Sequence, residues 1–144
     1  MPNFDVSDPD GSHIQRLTHR KGGTGARRPM WSPDGRQIAF FAFVGRIPEI
    51  FVINLDGGEP KQVSSGGGIY PTWSPDSRKI AFASARNGSI QLYSFNLDGS
   101  GLLQLTNMKP GASESAWSPD GNKILFTVVG SEGEAIIDIL DCRP

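Results

Sequence analysis

The sequence has few of the residues from which disulfide frameworks and metal sites are built. Among 144 residues there is one cysteine, Cys142, and there are two histidines, His13 and His19. A single cysteine excludes an intramolecular disulfide framework and any zinc site made of several cysteines. His13 falls within a predicted strand, and no Cys or Glu recurs at a ligand spacing. We therefore expect neither a metal site nor a cofactor.

Neither sign of charge dominates, and long apolar runs are absent. Fourteen basic residues against fifteen acidic ones give a net charge of −1, which does not favour nucleic acid or an anionic membrane as a partner. The longest apolar runs, such as residues 38–44, are far shorter than the roughly 20 residues that span a bilayer. The first ten residues lack the basic and apolar regions of a signal peptide. The sequence as written predicts a cytoplasmic protein without membrane insertion, or a piece of a longer chain.

The sequence does contain an internal repeat. WSPDGRQIAF begins at Trp31, WSPDSRKIAF at Trp73 and WSPDGNKILF at Trp117, so the tryptophans are 42 and 44 residues apart. A second phrase, beginning NLDG or DPDG, occurs at residues 54–64, 96–106 and 8–18. A period of about 40–45 residues is typical of β-propeller repeats.

Each repeat unit contains four predicted strands. The first strand ends at the tryptophan and turns at Ser-Pro-Asp-Gly, a sequence suited to a type I turn. The second strand is apolar at consecutive positions, which predicts burial on both faces. A third strand runs into an Asp-Gly turn, and a short polar fourth strand follows. Four antiparallel strands in this period predict an all-β fold of propeller blades.

These phrases resemble the WD40-like propeller repeat of the TolB family, from about Phe4 to Asp141. Related repeats occur in the propeller domains of prolyl-oligopeptidase-type peptidases. The resemblance implies a bacterial six-bladed β-propeller that binds proteins or peptides and is typically periplasmic, which conflicts with the missing export signal. Ser77 replaces the turn glycine of the second repeat, and Cys142 stands where the glycine of Asp-Gly is expected.

The predicted strands amount to three blades, distributed as an outer strand (12–18), two full blades (28–64 and 70–106) and an incomplete blade (114–141). Three blades do not close a ring, because propellers have about four to eight, and an open ring exposes apolar faces. We therefore expect a homodimer in which two copies form one six-bladed ring, with each N-terminal strand completing the last blade of the other copy. The alternative is a fragment of a larger propeller.

The charge distribution agrees with that pairing. Residues 12–32 carry five basic side chains and no acidic one, whereas residues 112–141 have a net charge of −5. A basic outer strand would therefore lie beside an acidic third strand, where opposite charges across neighbouring strands contribute about 0.2–1 kcal/mol each.

No catalytic motif is apparent. The sequence lacks Gly-x-Ser-x-Gly, and GASES (111–115) precedes a predicted strand, where no strand-to-helix elbow is expected. The glycine-rich residues 64–68 also open onto a strand, whereas a phosphate loop requires a helix N-terminus. We therefore expect a non-catalytic module. The alternative is the propeller portion of an enzyme, either a prolyl-oligopeptidase-type peptidase or a channel-site lyase, whose catalytic part lies elsewhere.

Binding is expected at the loops around the mouth of the propeller channel, because exposed loops on a rigid frame are where such folds bind partners. The basic loop 18–28 would accept an acidic peptide or a carboxylate-bearing ligand. The three repeated tryptophans are predicted to be core wedges between blades. The candidate partner-binding residues are Arg20, Lys21, Arg27, Arg28, Tyr70, Arg86 and Glu114.

Overall fold

The computed structural model describes residues 4–17, 24–129 and 135–142, and its regular secondary structure consists of antiparallel β-strands in four sheets. Sheet I contains β3 (Thr24–Trp31), β4 (Gln37–Val44), β5 (Ile47–Asn54) and β6 (Lys61–Gln62). Sheet II contains β7 (Ile69–Trp73), β8 (Lys79–Ser84), β9 (Gln91–Asn96) and β10 (Leu103–Gln104). Sheet III contains β11 (Ala112–Trp117), β12 (Lys123–Val129) and β13 (Ala135–Asp141). The described part of the chain has no helix long and apolar enough to cross a membrane.

The turn between the first two strands of each sheet has the same hydrogen bonds in all three repeats. In sheet III, the Ser118 hydroxyl donates to Asp120 at 2.6 Å, and the same carboxylate accepts the backbone N–H of Asn122 at 3.0 Å. These bonds, with the Ser118 hydroxyl as the largest cause, lower the pKa of Asp120 to about 2. Asp34 and Asp76 make the equivalent bonds and also have lowered pKa values. The turn that the sequence predicts at Ser-Pro-Asp-Gly is confirmed, and its aspartate is the hydrogen-bond acceptor that holds it.

Neighbouring sheets pack face to face through apolar side chains. Sheet I meets sheet II through Ala39, Phe41, Ile50 and Val52 on one side and Trp73, Ile80, Phe82, Tyr93 and Phe95 on the other. Sheet II meets sheet III through Ala81, Ala83 and Leu92 against Ala112, Ile124, Phe126 and Val128. The second and third strands of sheets I and II therefore bury both faces, as their continuous apolar runs predict, whereas in sheet III Leu125, Ile137 and Ile139 leave one face exposed.

The tryptophans do not all share the predicted role. Trp73 is 5% exposed and donates its indole N–H to the Met30 carbonyl at 3.0 Å, which makes it a wedge between sheets I and II. Trp31 is 51% exposed, so the prediction is wrong for this residue in the single chain. The reason is positional, because Trp73 packs on the preceding sheet I, whereas among the described residues only the two-stranded β1–β2 sheet precedes sheet I.

The N-terminal hairpin consists of β1 (Asp5–Val6) and β2 (Gln15–Arg16). Sequence reasoning expected one outer strand over residues 12–18 and did not foresee β1. Within the chain, β2 pairs with β1, since the tight turn over residues 8–12 brings the two segments together. The hairpin covers the outer face of sheet I with Phe4, Val6 and Leu17. Pairing of this strand with the last sheet of a second copy stays a prediction.

Candidate binding site

The first strands of the three sheets share an irregularity three residues before each tryptophan. Strands β3 and β11 both contact β7, and each of the three strands loses register with its neighbour at this point. The residues at the irregularity are Arg28, Tyr70 and Glu114, with φ of 55°, 55° and 43°. Positive φ is uncommon for residues other than glycine, and bulges of this kind redirect side chains.

The three irregularities bring their side chains together. Arg28 Nη2 donates to Glu114 Oε1 at 3.0 Å, which joins sheet I to sheet III. The Arg28 guanidinium also lies 4.9 Å from the centre of the Tyr70 ring of sheet II. We call Arg28, Tyr70 and Glu114 the bulge cluster. Because the Arg28 and Glu114 side chains are both more than half exposed, their ion pair contributes little to stability and is open to exchange with a ligand.

A pocket of about 300 Å³ opens beside the bulge cluster. Its lining includes Met30, Pro71 and Ser115 of the three first strands, and the apolar side chains of Leu125 and Ile137 of sheet III. The Ser115 hydroxyl is buried and has no hydrogen-bond partner. The pocket lining therefore combines two exposed opposite charges, apolar side chains and a buried hydroxyl without a hydrogen-bond partner.

The other predicted binding residues lie apart from this cluster or outside the described residues. Arg27 is exposed, and its guanidinium lies 5.9 Å from the centre of the Phe43 ring. Arg86 is held by the Ser84 hydroxyl and the Gly67 carbonyl, at 3.1 and 3.0 Å. Arg20 and Lys21 lie outside the described residues.

Arg86 has a structural environment. Its guanidinium lies over the Phe82 and Tyr93 rings, 5.2 and 4.8 Å from their centres, and it lines a different pocket from the bulge cluster. Together with its hydrogen bonds, these contacts fix the segment between sheets I and II against β8. Arg86 therefore acts in packing in this structure, and the bulge cluster forms without it.

Sequence reasoning missed two buried polar side chains that organise the connections between sheets. The Glu49 carboxylate accepts hydrogen bonds from the Ser64 hydroxyl and from the backbone N–H groups of Gly66 and Gly67. In sheet II, Gln91 occupies the equivalent position and accepts from the Thr106 hydroxyl at 2.8 Å. Both residues stand directly before the apolar part of a third strand. In the sequence, a buried polar residue at this place looks the same as an exposed residue at the end of a strand.

The described ranges contain no group of three or more His, Cys, Asp or Glu side chains that could hold a metal ion. In GASES (111–115) the strand β11 begins at Ala112, so Ser113 and Ser115 lie on a strand and not at a strand-to-helix elbow. Among the predicted binding residues, the ones that the structure brings together are those of the bulge cluster, whose chemistry suits ionic and cation–π contacts.

The chain has two four-stranded antiparallel sheets and one three-stranded sheet that pack face to face, with the first strand of sheet II in contact with the first strands of sheets I and III. This arrangement is that of β-propeller blades. The family description "TolB beta propeller domain" matches residues 3–137. The chain belongs to this family.

Two curated relatives extend the comparison. The chain is 35% identical over 111 residues to the uncharacterized peptidase YuxL of Bacillus subtilis, which covers 76% of this chain and 10% of that protein. It is 42% identical over 64 residues to the Tol-Pal system protein TolB of Thioalkalivibrio sulfidiphilus, which covers 44% of this chain and 14% of that protein. The matched regions are therefore small parts of both relatives.

Among solved structures, a putative TolB from Agrobacterium tumefaciens superposes with a TM-score of 0.86 at 22% identity. The superposition covers 97% of this chain and 53% of that one. At this identity the match establishes the fold, and the chain corresponds to about half of that structure.

Proposed function

We propose that this chain is a non-catalytic binding module of the TolB-like propeller type, which takes an acidic protein or peptide segment at the bulge cluster. The observation that carries the proposal is the meeting of three repeat-equivalent residues, all at positive φ, around an exposed ion pair. Strained backbone at non-glycine residues is concentrated at functional sites. A packing role alone would not require Arg, Tyr and Glu at one repeat position.

The chemistry of recognition follows from the ion pair. A carboxylate of the partner replaces Glu114 at the Arg28 guanidinium, which offers further donors in a planar fork. The Tyr70 ring supports the guanidinium from one face. Arg27 and the basic loop containing Arg20 and Lys21 add positive potential that attracts an acidic segment.

We also propose that the chain works as half of a six-bladed ring, with sheets I, II and III as its three blades (28–64, 70–106 and 114–141). The correspondence to about half of the Agrobacterium tumefaciens structure supports this size. A second copy supplies the other three blades, so the ring is a homodimer. Cytoplasmic location stays a prediction, and the periplasmic location implied by the family resemblance stays the alternative.

The match to a peptidase favours a second candidate function. The similarity to YuxL covers 76% of this chain, which supports a role as the propeller portion of an enzyme whose catalytic part lies in other residues. That function predicts binding of peptide substrates irrespective of acidic side chains. The binding module predicts selectivity for acidic segments.

The test is fluorescence anisotropy with a labelled seven-residue peptide of Asp, Glu and Leu, compared with the same peptide carrying Lys at every acidic position. Arg28→Gln should weaken binding of the acidic peptide about 5- to 10-fold, since it removes a charge-assisted hydrogen bond. Glu114→Gln should strengthen it about 2- to 5-fold, since it removes the competing carboxylate. Arg36→Gln, at the exposed β3–β4 turn, is the control of equal charge.

Equal losses for Arg28→Gln and Arg36→Gln would refute the bulge cluster as the site and leave only general electrostatic attraction. Equal affinity for the acidic and the Lys-containing peptide would refute selectivity for acidic segments and favour the enzyme alternative.

A further inference from the structure

The outward face of sheet III is apolar and exposed. Leu125, Ile137 and Ile139 are 42%, 67% and 58% exposed. The strand registers place them at the positions of residues that are buried between sheets elsewhere in the chain. Those counterparts are Ala39, Ile50 and Val52 in sheet I, and Ala81, Leu92 and Ser94 in sheet II. Sheet III therefore has a face built to pack against another sheet.

The N-terminal hairpin reproduces the third and fourth strands of a sheet. Asp5 pairs with Arg16 and Val6 with Gln15, in the register of the β5–β6 pairs Phe51–Gln62 and Val52–Lys61. The Leu17 N–H donates to the Phe4 carbonyl at 2.9 Å, as the Val63 N–H does to the Ile50 carbonyl. Strand β1 thus stands in the place of a third strand, and β2 in that of a fourth.

The same registers align β1 with β13. Phe40 of β4 and Phe126 of β12 occupy the same repeat position, and the residues paired with them are Phe51 and Asp138. The hairpin register makes Asp5 the counterpart of Phe51. Asp138 of β13 is therefore the equivalent of Asp5 of β1. By the same alignment, Ile137 corresponds to Phe4 and Ile139 to Val6.

The outer edge of β13 has the features of a strand that receives a fourth strand. In the described residues, sheet III ends at β13, whereas sheets I and II continue to β6 and β10. The Ile139 N–H is bonded at 2.8 Å to the carboxylate of its own neighbour, Asp138. Asp138 is exposed and lies at the position that Asp5 uses to pair with Arg16 at 3.1 Å.

We propose that β1 is a placeholder, and that in the homodimer β13 of a second copy takes its place. Strand β2 stays packed on sheet I of its own chain but pairs with β13 of the second copy instead of β1. Arg16 then pairs with Asp138 of the second copy instead of Asp5. Ile137 and Ile139 of the second copy cover the sheet I cluster that Phe4 and Val6 cover in the single chain. This deepens the proposed ring, on which it rests.

The exchange resolves a conflict in the ring. Two copies supply one third strand too many at each junction, namely β1 of one copy and β13 of the other. Strand β13 is paired with β12 over seven residues, whereas β1 is paired over two, so β13 is the better-anchored competitor. The exchange also buries Trp31. Trp73 of sheet II packs on the preceding sheet I, and in the dimer sheet III of the second copy precedes sheet I in the same way and covers Trp31.

Opposite responses to equivalent charge reversals test the exchange. Asp138→Lys repels Arg16 only in the dimer, whereas Asp5→Lys repels it only in the single chain. Because each ring has two junctions, Asp138→Lys should raise the dimer Kd about 5- to 30-fold, and Asp5→Lys should lower it by a similar factor. Adding Arg16→Glu to Asp138→Lys should return the Kd to the wild-type value or below it, because the new carboxylate pairs with the new lysine in the dimer and is repelled by Asp5 in the single chain.

The measurement is light scattering coupled to size-exclusion chromatography over a dilution series, in which the dimer has twice the 15.5 kDa chain mass. Trp31 provides a second readout, because its emission should shift to shorter wavelength on dimerisation, and Trp31→Phe should abolish this shift. Circular dichroism checks that the variants fold.

The outcomes separate the two proposals. A wild-type chain that stays monomeric over the whole series overturns both the ring and the exchange. A wild-type dimer in which Asp5→Lys and Asp138→Lys change the Kd in the same direction, or not at all, overturns the exchange and leaves the ring standing. Opposite shifts, with rescue by Arg16→Glu, support the exchange.

Discussion

A substitution of Glu49 tests how the segment that connects sheets I and II is held in place. Its side chain is 5% exposed and accepts hydrogen bonds from Ser64, Gly66 and Gly67. The Ser64 hydroxyl oxygen in turn accepts the Ile50 N–H at 2.8 Å. One carboxylate therefore ties a core strand to the segment that leads into the next sheet.

The expected magnitude follows from what Glu49→Ala exposes. Water reaches Gly66 and replaces the carboxylate there, whereas the Ser64 hydroxyl is buried and loses its acceptor, at about 1–3 kcal/mol. Looser attachment of the segment adds about 1 kcal/mol, so the free energy of unfolding should fall by about 2–4 kcal/mol. Glu49→Gln should cost about 1–2 kcal/mol, less than Glu49→Ala, because the amide oxygen still accepts from the Ser64 hydroxyl whereas the NH2 group faces the N–H donors of Gly66 and Gly67. In sheet II the amide of Gln91 is matched to its site, because its oxygen accepts from the Thr106 hydroxyl and its NH2 group donates to the Met108 carbonyl.

The assay is urea unfolding at neutral pH, followed by tryptophan fluorescence. Glu59→Ala is the matched control, since Glu59 is an exposed glutamate in the β5–β6 connection, and its removal should change the free energy by less than about 0.5 kcal/mol. The reasoning is refuted if Glu49→Ala also changes the free energy by less than about 0.5 kcal/mol, or if Glu49→Gln is as costly as Glu49→Ala.

Two further predictions concern the repeat residues. Asp34, Asp76 and Asp120 have lower pKa values in the folded chain than in the unfolded one, where the pKa is near 4. Their contribution to stability is therefore complete above about pH 4 and is lost as the pH falls through the folded pKa, which is about 2 for Asp120. Replacing all three by Asn should make the melting temperature fall less steeply as the pH is lowered from about 4 to about 2. An unchanged dependence of the melting temperature on pH would contradict this prediction. Trp73→Phe should lower the free energy of unfolding by about 1–3 kcal/mol, because it removes a buried hydrogen bond and buried volume. Trp31→Phe, measured in dilute protein, should cost less than about 0.5 kcal/mol, and equal costs would show that the two tryptophans have the same environment.

The local features of the fold were predictable from the sequence because they depend on neighbouring residues. Ser-Pro-Asp-Gly specifies its turn through bonds that span two to five residues, such as Ser118 to Asp120. The apolar runs of β4 and β8 predicted burial on both faces, which the structure confirms. The period of the repeat indicated the propeller family, which is also confirmed.

Features that depend on distant segments were predicted incompletely. Arg28, Tyr70 and Glu114 were candidate binding residues, but their meeting depends on a shared backbone irregularity that residue types do not reveal. Strand β1 was missed because two paired residues have no readable period.

The sequence by itself determined the repeating unit, since turn preference, strand alternation and apolar patterning act over a few residues. The tertiary structure decided which copies of the unit are covered. Trp73 and Trp31 are identical in type and repeat position, yet one is 5% and the other 51% exposed. The difference arises because burial depends on the sheet that lies opposite, and that sheet comes from a part of the chain about forty residues away.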